Sequence, residues 1–194
     1  MRSVTSTLRT VTFLWQLVAK SEIADPRNVG KSSVLNAILL YMQTIPYKAP
    51  DFTLPDETNN SVSLKDFTGK WLVLYFYPKD DTPGCTIQAC SLRDARDDLA
   101  DVDAVVVGVS KDATDSHDAF KAKHSLNFTL LSDESGKVID SYGAWGKKMF
   151  GKEGILRKTF LIDPNGMVQK VYARVTPVGH GEAVLADLKY LRTK

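Results

Sequence analysis

Seven consecutive apolar residues, Trp71-Leu72-Val73-Leu74-Tyr75-Phe76-Tyr77, constrain the fold more than any other feature of the chain. A strand with no polar face must be covered on both sides, which places it centrally in a sheet flanked by helices. Pro78 ends the run, because proline cannot donate to a strand ladder, and Pro83-Gly84 marks a turn. From Cys85 to about Ala100 the pattern becomes helical, with Ile87, Leu92, Ala95 and Leu99 recurring at steps of three to five. Cys85 therefore stands where a loop becomes the first turn of a helix. Free backbone N–H groups and the helix dipole favour an anion there, here a thiolate.

The remaining elements alternate. Residues 48–55 open the domain, residues 61–64 read as a short strand, and Asp66-Phe67-Thr68-Gly69 turns the chain into the apolar run. Ala104-Val105-Val106-Val107-Gly108-Val109-Ser110 reads as a second buried strand, residues 115–124 as a helix and residues 129–133 as a short strand. A helical turn is expected near residues 138–142. Residues 158–172 read as two strands joined by the tight turn Asp163-Pro164-Asn165-Gly166, and residues 182–191 as a closing amphipathic helix. This order predicts an α/β domain with a central mixed β-sheet flanked by helices.

Residues 47–194 suffice for one domain with a full core and are too few for two. Residues 1–46 form an extension of different character, with five Lys/Arg against Glu22 and Asp25, which leaves 20 basic and 21 acidic residues in the domain. Such a balance gives no nucleic-acid surface. The first twenty-one residues lack acids and resemble an organelle transit peptide in composition, although a plain leader or fusion remnant is the simpler reading. Gly30-Lys31-Ser32 resembles the end of a phosphate loop, but Asp25 stands where the first glycine is required. Residues 34–42 look helical. No apolar run approaches the roughly eighteen residues of a membrane span, so no membrane partner is expected. With no secretory signal evident the cytoplasm is favoured, or an organelle if residues 1–46 act as a transit peptide.

Three readings compete for Cys85 and Cys90, the two cysteines of the chain. A structural disulfide suits small secreted domains rather than one of this size. A metal site fits poorly, since His117, His124 and His180 lack ligand spacing and helix-borne histidines are usually partly exposed side chains. The third reading is a redox-active thiol with a second thiol as its resolving partner. Five positions along a helix rise about 7.5 Å, beyond the Cα separation of roughly 7 Å that a disulfide tolerates. The two thiols can therefore pair only if the first turns unwind, and the Cys-x-x-Cys spacing of thiol–disulfide exchangers is absent.

The string Pro78-x-x-x-Thr82-x-x-Cys85 resembles the active-site motif of the peroxiredoxins. The longer Tyr75-Phe76-Tyr77-Pro78-Lys79-Asp80-Asp81-Thr82-Pro83-Gly84-Cys85-Thr86-Ile87-Gln88-Ala89-Cys90 is similar to the bacterioferritin-comigratory, or Q-type, subfamily. Ala49-Pro50-Asp51-Phe52, Leu130-Leu131-Ser132-Asp133, Trp145-Gly146-Lys147-Lys148 and the block from Gly154 to Asp163 support it, and the match covers residues 47–194. The resemblance implies a thioredoxin-like fold and a peroxidase acting on hydrogen peroxide and organic hydroperoxides. It also implies thioredoxin or a similar dithiol protein as reductant and no prosthetic group; a monomer is expected, with a dimer as the alternative.

On this resemblance Cys85 is the peroxidatic thiolate and Cys90 resolves its sulfenic acid as an intramolecular disulfide. Arg157 stays cationic beside the sulfur, Thr82 holds thiolate and peroxide with its hydroxyl, and Pro78 shields the sulfur from water. Gln88 either orients Arg157 or is a solvated helix glutamine; Trp145 is expected to pack. Ionisation alone gains about 30-fold over a free thiol, so donors to the departing oxygen must supply the rest. The segment from Trp145 to Arg157 is a few residues shorter than the subfamily pattern, which could displace Arg157. A thiol–disulfide exchanger or a non-catalytic binding module of the same fold are the alternative functions.

Overall fold

The computed structural model describes residues 45–148 and 151–193. The phosphate-loop-like stretch and the helix expected at residues 34–42 lie outside the described residues.

The apolar run forms β4 (Trp71–Phe76), and all six of its residues are buried. Its period of two splits the core in two. Trp71, Val73 and Tyr75 point to one side of the sheet, and Leu72, Leu74 and Phe76 to the other. Full burial of each such side chain stabilises the fold by roughly 1.5–3 kcal/mol, so β4 anchors both layers.

The main sheet also contains β1 (Tyr47–Lys48), β5 (Ala104–Ser110), β6 (Thr129–Ser132), β9 (Lys158–Ile162) and β10 (Met167–Tyr172), in the order β1-β10-β9-β4-β5-β6. β4, β5 and β6 run parallel, while β9 is antiparallel to β4 and to β10. Two hairpins lie outside this sheet: β2 (Thr53–Pro55) with β3 (Ser61–Ser63), and β7 (Trp145–Lys147) with β8 (Glu153–Ile155). The tight turn joins β9 to β10 with Gly166 at φ 78°, as an Asn-Gly turn requires.

One face of the sheet is covered by α1 (Pro83–Asp94), α2 (Arg96–Ala100), α3 (Thr114–His124) and α5 (His180–Leu191), which contribute Leu92, Leu99, Phe120 and Leu188 to its core. α4 (Lys137–Ser141) and the segment carrying Phe52 and Leu54 cover the other. The mixed sheet flanked by helices is thus the expected architecture.

Two local expectations need correction. The helix expected from Cys85 to Ala100 is divided at Ala95, where α5 crosses it. There a Cβ on Gly181 would lie 2.1 Å from Ser91 O and 2.9 Å from Ala95 Cβ, so only glycine permits this approach. Ile87 was expected on the core face but is 45% exposed; the buried stripe of α1 is Cys85, Gln88, Ala89 and Leu92. That stripe has true helical spacing of three and four, whereas Ile87 falls one residue off it.

Candidate active site

Sheet register builds the site. Phe76, the last residue of β4, is paired with Lys158, the first of the antiparallel β9. Whatever precedes Lys158 must therefore lie beside the loop that follows β4. Arg157 precedes Lys158, and that loop leads into α1.

Thr82 is the N-cap of α1 and Pro83 its first residue, a position where a missing N–H costs nothing. Cys85 stands in the first turn and is 2% exposed. The Thr82 hydroxyl donates to Lys79 O at 3.0 Å and does not cap the helix. The N–H groups of Gly84 and Cys85 consequently have no acceptor among the described residues and remain available beside the sulfur.

Arg157 Nη2 donates to Cys85 Sγ at 3.5 Å, and Nη1 donates to Gln88 Oε1 at 2.6 Å. The guanidinium also lies close over Gly84, where an added Cβ would stand 3.2 Å from Nη2. Gln88 is fully buried, so it is not a solvated glutamine: it aims the arginine fork at the sulfur. The short segment before Arg157 does not displace it. β7 and β8 pair through Trp145–Ile155 and Lys147–Glu153, and Leu156 N–H donates to Ala144 O at 2.8 Å, which returns the chain to the sheet at Arg157.

Pro78 is half-buried at the end of β4, as is Cys90 on α1, and both thiols are free. Behind Cys85 the Tyr75 hydroxyl is buried with no partner among the described residues. Burial, then the neighbouring Cys85, holds this phenol well above its ordinary range, so it stays neutral. Trp145, expected to pack, is 41% exposed and carries Lys111 Nζ at 5.5 Å from its ring centroid.

The histidines were expected as partly exposed side chains, yet two of them are buried. His180 opens α5 with Nε2 at 2.9 Å from the Thr159 hydroxyl, and burial followed by the Arg157 charge lowers its pKa to about 4. His117 is fully buried beside Asp80, and His124 lies at the end of α3 beside Asp81. Sequence reasoning passed over Asp80 and Asp81; two adjacent acids ahead of Thr82 were the available signal. Among the described residues no three His, Cys, Asp or Glu side chains gather as metal ligands, and no helix is long and apolar enough to cross a membrane.

Comparison with known proteins gives the family. The model of the AhpC/TSA family matches residues 45–171. The chain belongs to the AhpC/TSA family of peroxiredoxins. Among its relatives, Peroxiredoxin Bcp of Bacillus subtilis is 46% identical over 153 residues, covering 77% of this chain and 98% of the relative. Peroxiredoxin Bcp of Escherichia coli is 46% identical over 144 residues, covering 73% and 92%. Of solved structures, Xanthomonas campestris peroxiredoxin Q superposes with a TM-score of 0.68 at 38% identity, covering 72% of this chain and 90% of that one. Peroxidoxin BcpB of Mycobacterium tuberculosis gives 0.69 at 33%, covering 76% and 97%. This peroxiredoxin is of the Bcp, or Q-type, group and has its thioredoxin-like fold. It is a thiol peroxidase, an oxidoreductase acting on hydroperoxides.

Proposed function

We propose that residues 47–194 act as the peroxidase domain, with Cys85 as peroxidatic thiolate and Cys90 as resolving thiol. The Cys85 sulfur attacks the outer oxygen of a hydroperoxide. The S–O bond forms as the O–O bond breaks, and the departing oxygen takes a proton and leaves as water or alcohol. Arg157 and the first N–H groups of α1 stabilise the charge that develops, the Thr82 oxygen accepts the peroxide O–H, and Pro78 limits water at the sulfur. Cys90 thiolate then attacks the sulfenic sulfur, expelling its oxygen as water and leaving a Cys85–Cys90 disulfide. That step requires the first turns of α1 to unwind. Thioredoxin or a similar dithiol protein restores both thiols by exchange.

The observation that supports this reading is the Arg157 fork bridging Cys85 and Gln88. Hydrogen peroxide and alkyl hydroperoxides are the proposed substrates, the latter because the Xanthomonas campestris bacterioferritin comigratory protein, 37% identical, has alkyl peroxide reduction activity. We further propose that the enzyme works as a monomer in the cytoplasm.

The test separates the two cysteines. Cys90→Ser should consume one equivalent of peroxide as fast as the parent enzyme and then stop, whereas the parent cycles with thioredoxin and its reductase. Undiminished steady-state cycling by Cys90→Ser would remove Cys90 from the mechanism.

A further inference from the structure

The loop that presents Thr82 is tied to α3 by two consecutive aspartates, one at each end of that helix. Asp80 is buried, and its carboxylate accepts hydrogen bonds from the Tyr77 hydroxyl at 2.7 Å, the Ser116 hydroxyl at 2.7 Å and His117 Nδ1 at 2.8 Å. Burial opposes its ionised form, but the bonds from His117, Tyr77 and Ser116 outweigh that and hold its carboxyl below the ordinary range. An ionised carboxylate only accepts, so the His117 proton sits on Nδ1.

Asp81 follows with φ 52°, a left-handed backbone that aspartate adopts more readily than most residues. The last turn of α3 meets its side chain, with Lys123 Nζ and His124 Nε2 on its two carboxylate oxygens at 2.5 Å and 2.8 Å.

One peptide unit joins the anchored Asp80 to the acceptor of Thr82. The Asp80 N–H donates to Asp112 Oδ2 at 2.9 Å, an oxygen that also accepts the Ser110 hydroxyl at 2.7 Å. The Lys79–Asp80 peptide is planar, so fixing its N–H fixes the direction of its carbonyl. That carbonyl, Lys79 O, is the acceptor of the Thr82 hydroxyl proton. With its proton committed there, the Thr82 oxygen offers lone pairs to a peroxide O–H.

We propose that Asp80 and Asp81, gripped by His117 and His124 of α3, are positioning residues of the peroxidase reaction that orient the Thr82 hydroxyl through the Lys79–Asp80 peptide. This rests on the reading of Cys85 and Thr82 given above. Neither aspartate touches the sulfur, so neither should alter its reaction with a reagent that ignores Thr82.

The experiment compares two reagents on Cys85, hydrogen peroxide by stopped flow and iodoacetamide by alkylation rate, in Asp80→Asn, His117→Ala, His117→Asn and Thr82→Val. Misplacing a contacting group by about 1 Å costs up to about 100-fold. Asp80→Asn and His117→Ala should therefore lose about that factor toward peroxide while alkylation changes less than about 2-fold. His117→Asn, which keeps an amide donor near Nδ1, should recover most of the peroxide rate. In a Thr82→Val background Asp80→Asn should cost nothing further, because both changes act on one group. Should Asp80→Asn fail to fold, Asp81→Asn carries the same comparison, since asparagine tolerates the left-handed backbone. Parallel losses toward both reagents, or independent losses in the double variant, would overturn the proposal. A slow Thr82→Val beside a fast Asp80→Asn would overturn it alone, whereas a fully active Thr82→Val would overturn the reading of Thr82 as well.

Discussion

Arg157 holds two partners with one rigid fork, Cys85 Sγ on Nη2 and Gln88 Oε1 on Nη1. A lysine would keep the charge and lose the fork, since an ammonium is a flexible point charge with no fixed geometry. Gln88→Leu removes the acceptor without much change of volume and leaves a buried guanidinium N–H unpaired. Hydrogen bonds to charged groups contribute about 1.5–3 kcal/mol, so each change should slow peroxide oxidation of Cys85 by roughly 10- to 100-fold. Stopped-flow rate constants for Arg157→Lys, Gln88→Leu and Gln88→Glu check this. The glutamate keeps the acceptor and should retain most of the rate; equal loss in Gln88→Glu and Gln88→Leu would mean that Gln88 matters only for packing. Tyr75, neutral and buried behind the sulfur, is a wall of the site rather than a proton donor to it.

At the scale of elements, α5 secures α1 just beyond the turns that the proposed Cys85–Cys90 disulfide requires to open. Gly181 N–H donates to the Ser91 hydroxyl at 2.9 Å, one residue beyond Cys90. His180 pins the start of α5 to Thr159 on β9. Its pKa falls from the ordinary 6.5 to about 4 on folding. The unfolded chain therefore binds more protons between those values, so His180 contributes stability above about pH 6.5 that is lost as pH falls toward about 4. Thermal unfolding midpoints should drop across that window, and His180→Gln should flatten this part of the profile; an unchanged slope would contradict the buried neutral histidine. The elements legible in the sequence were those whose apolar pattern is continuous. β4 and β5 needed only their runs of Val, Leu and aromatic residues. The β7–β8 hairpin was not legible, because Trp145-Gly146-Lys147 and Glu153-Gly154-Ile155 carry no alternation. Ile87 misled because apolar character was read as burial, and the buried position beside it belongs to a glutamine that only Arg157 explains.

In the whole molecule, the site exists because two strands of opposite direction end side by side. Cys85 follows the carboxyl end of β4, and Arg157 precedes the amino end of β9, in a register that pairs Phe76 with Lys158. Cysteine chemistry at a loop–helix junction was readable locally. The arginine was not, since no local pattern states which strands pair or in what register; it came through the family resemblance. His117 was not readable at all, since its aspartate lies in a loop distant in sequence. The β7–β8 hairpin leads the chain back to the sheet, and Arg157 enters it directly ahead of the paired Lys158. The most direct measurement is stopped-flow fluorescence of the reduced enzyme mixed with hydrogen peroxide and with tert-butyl hydroperoxide, beside Cys85→Ser. The expected result is oxidation far faster than that of a free thiol, abolished by Cys85→Ser. Oxidation no faster than a free thiol, or unaffected by Cys85→Ser, would contradict the assignment of Cys85 and its Arg157 fork.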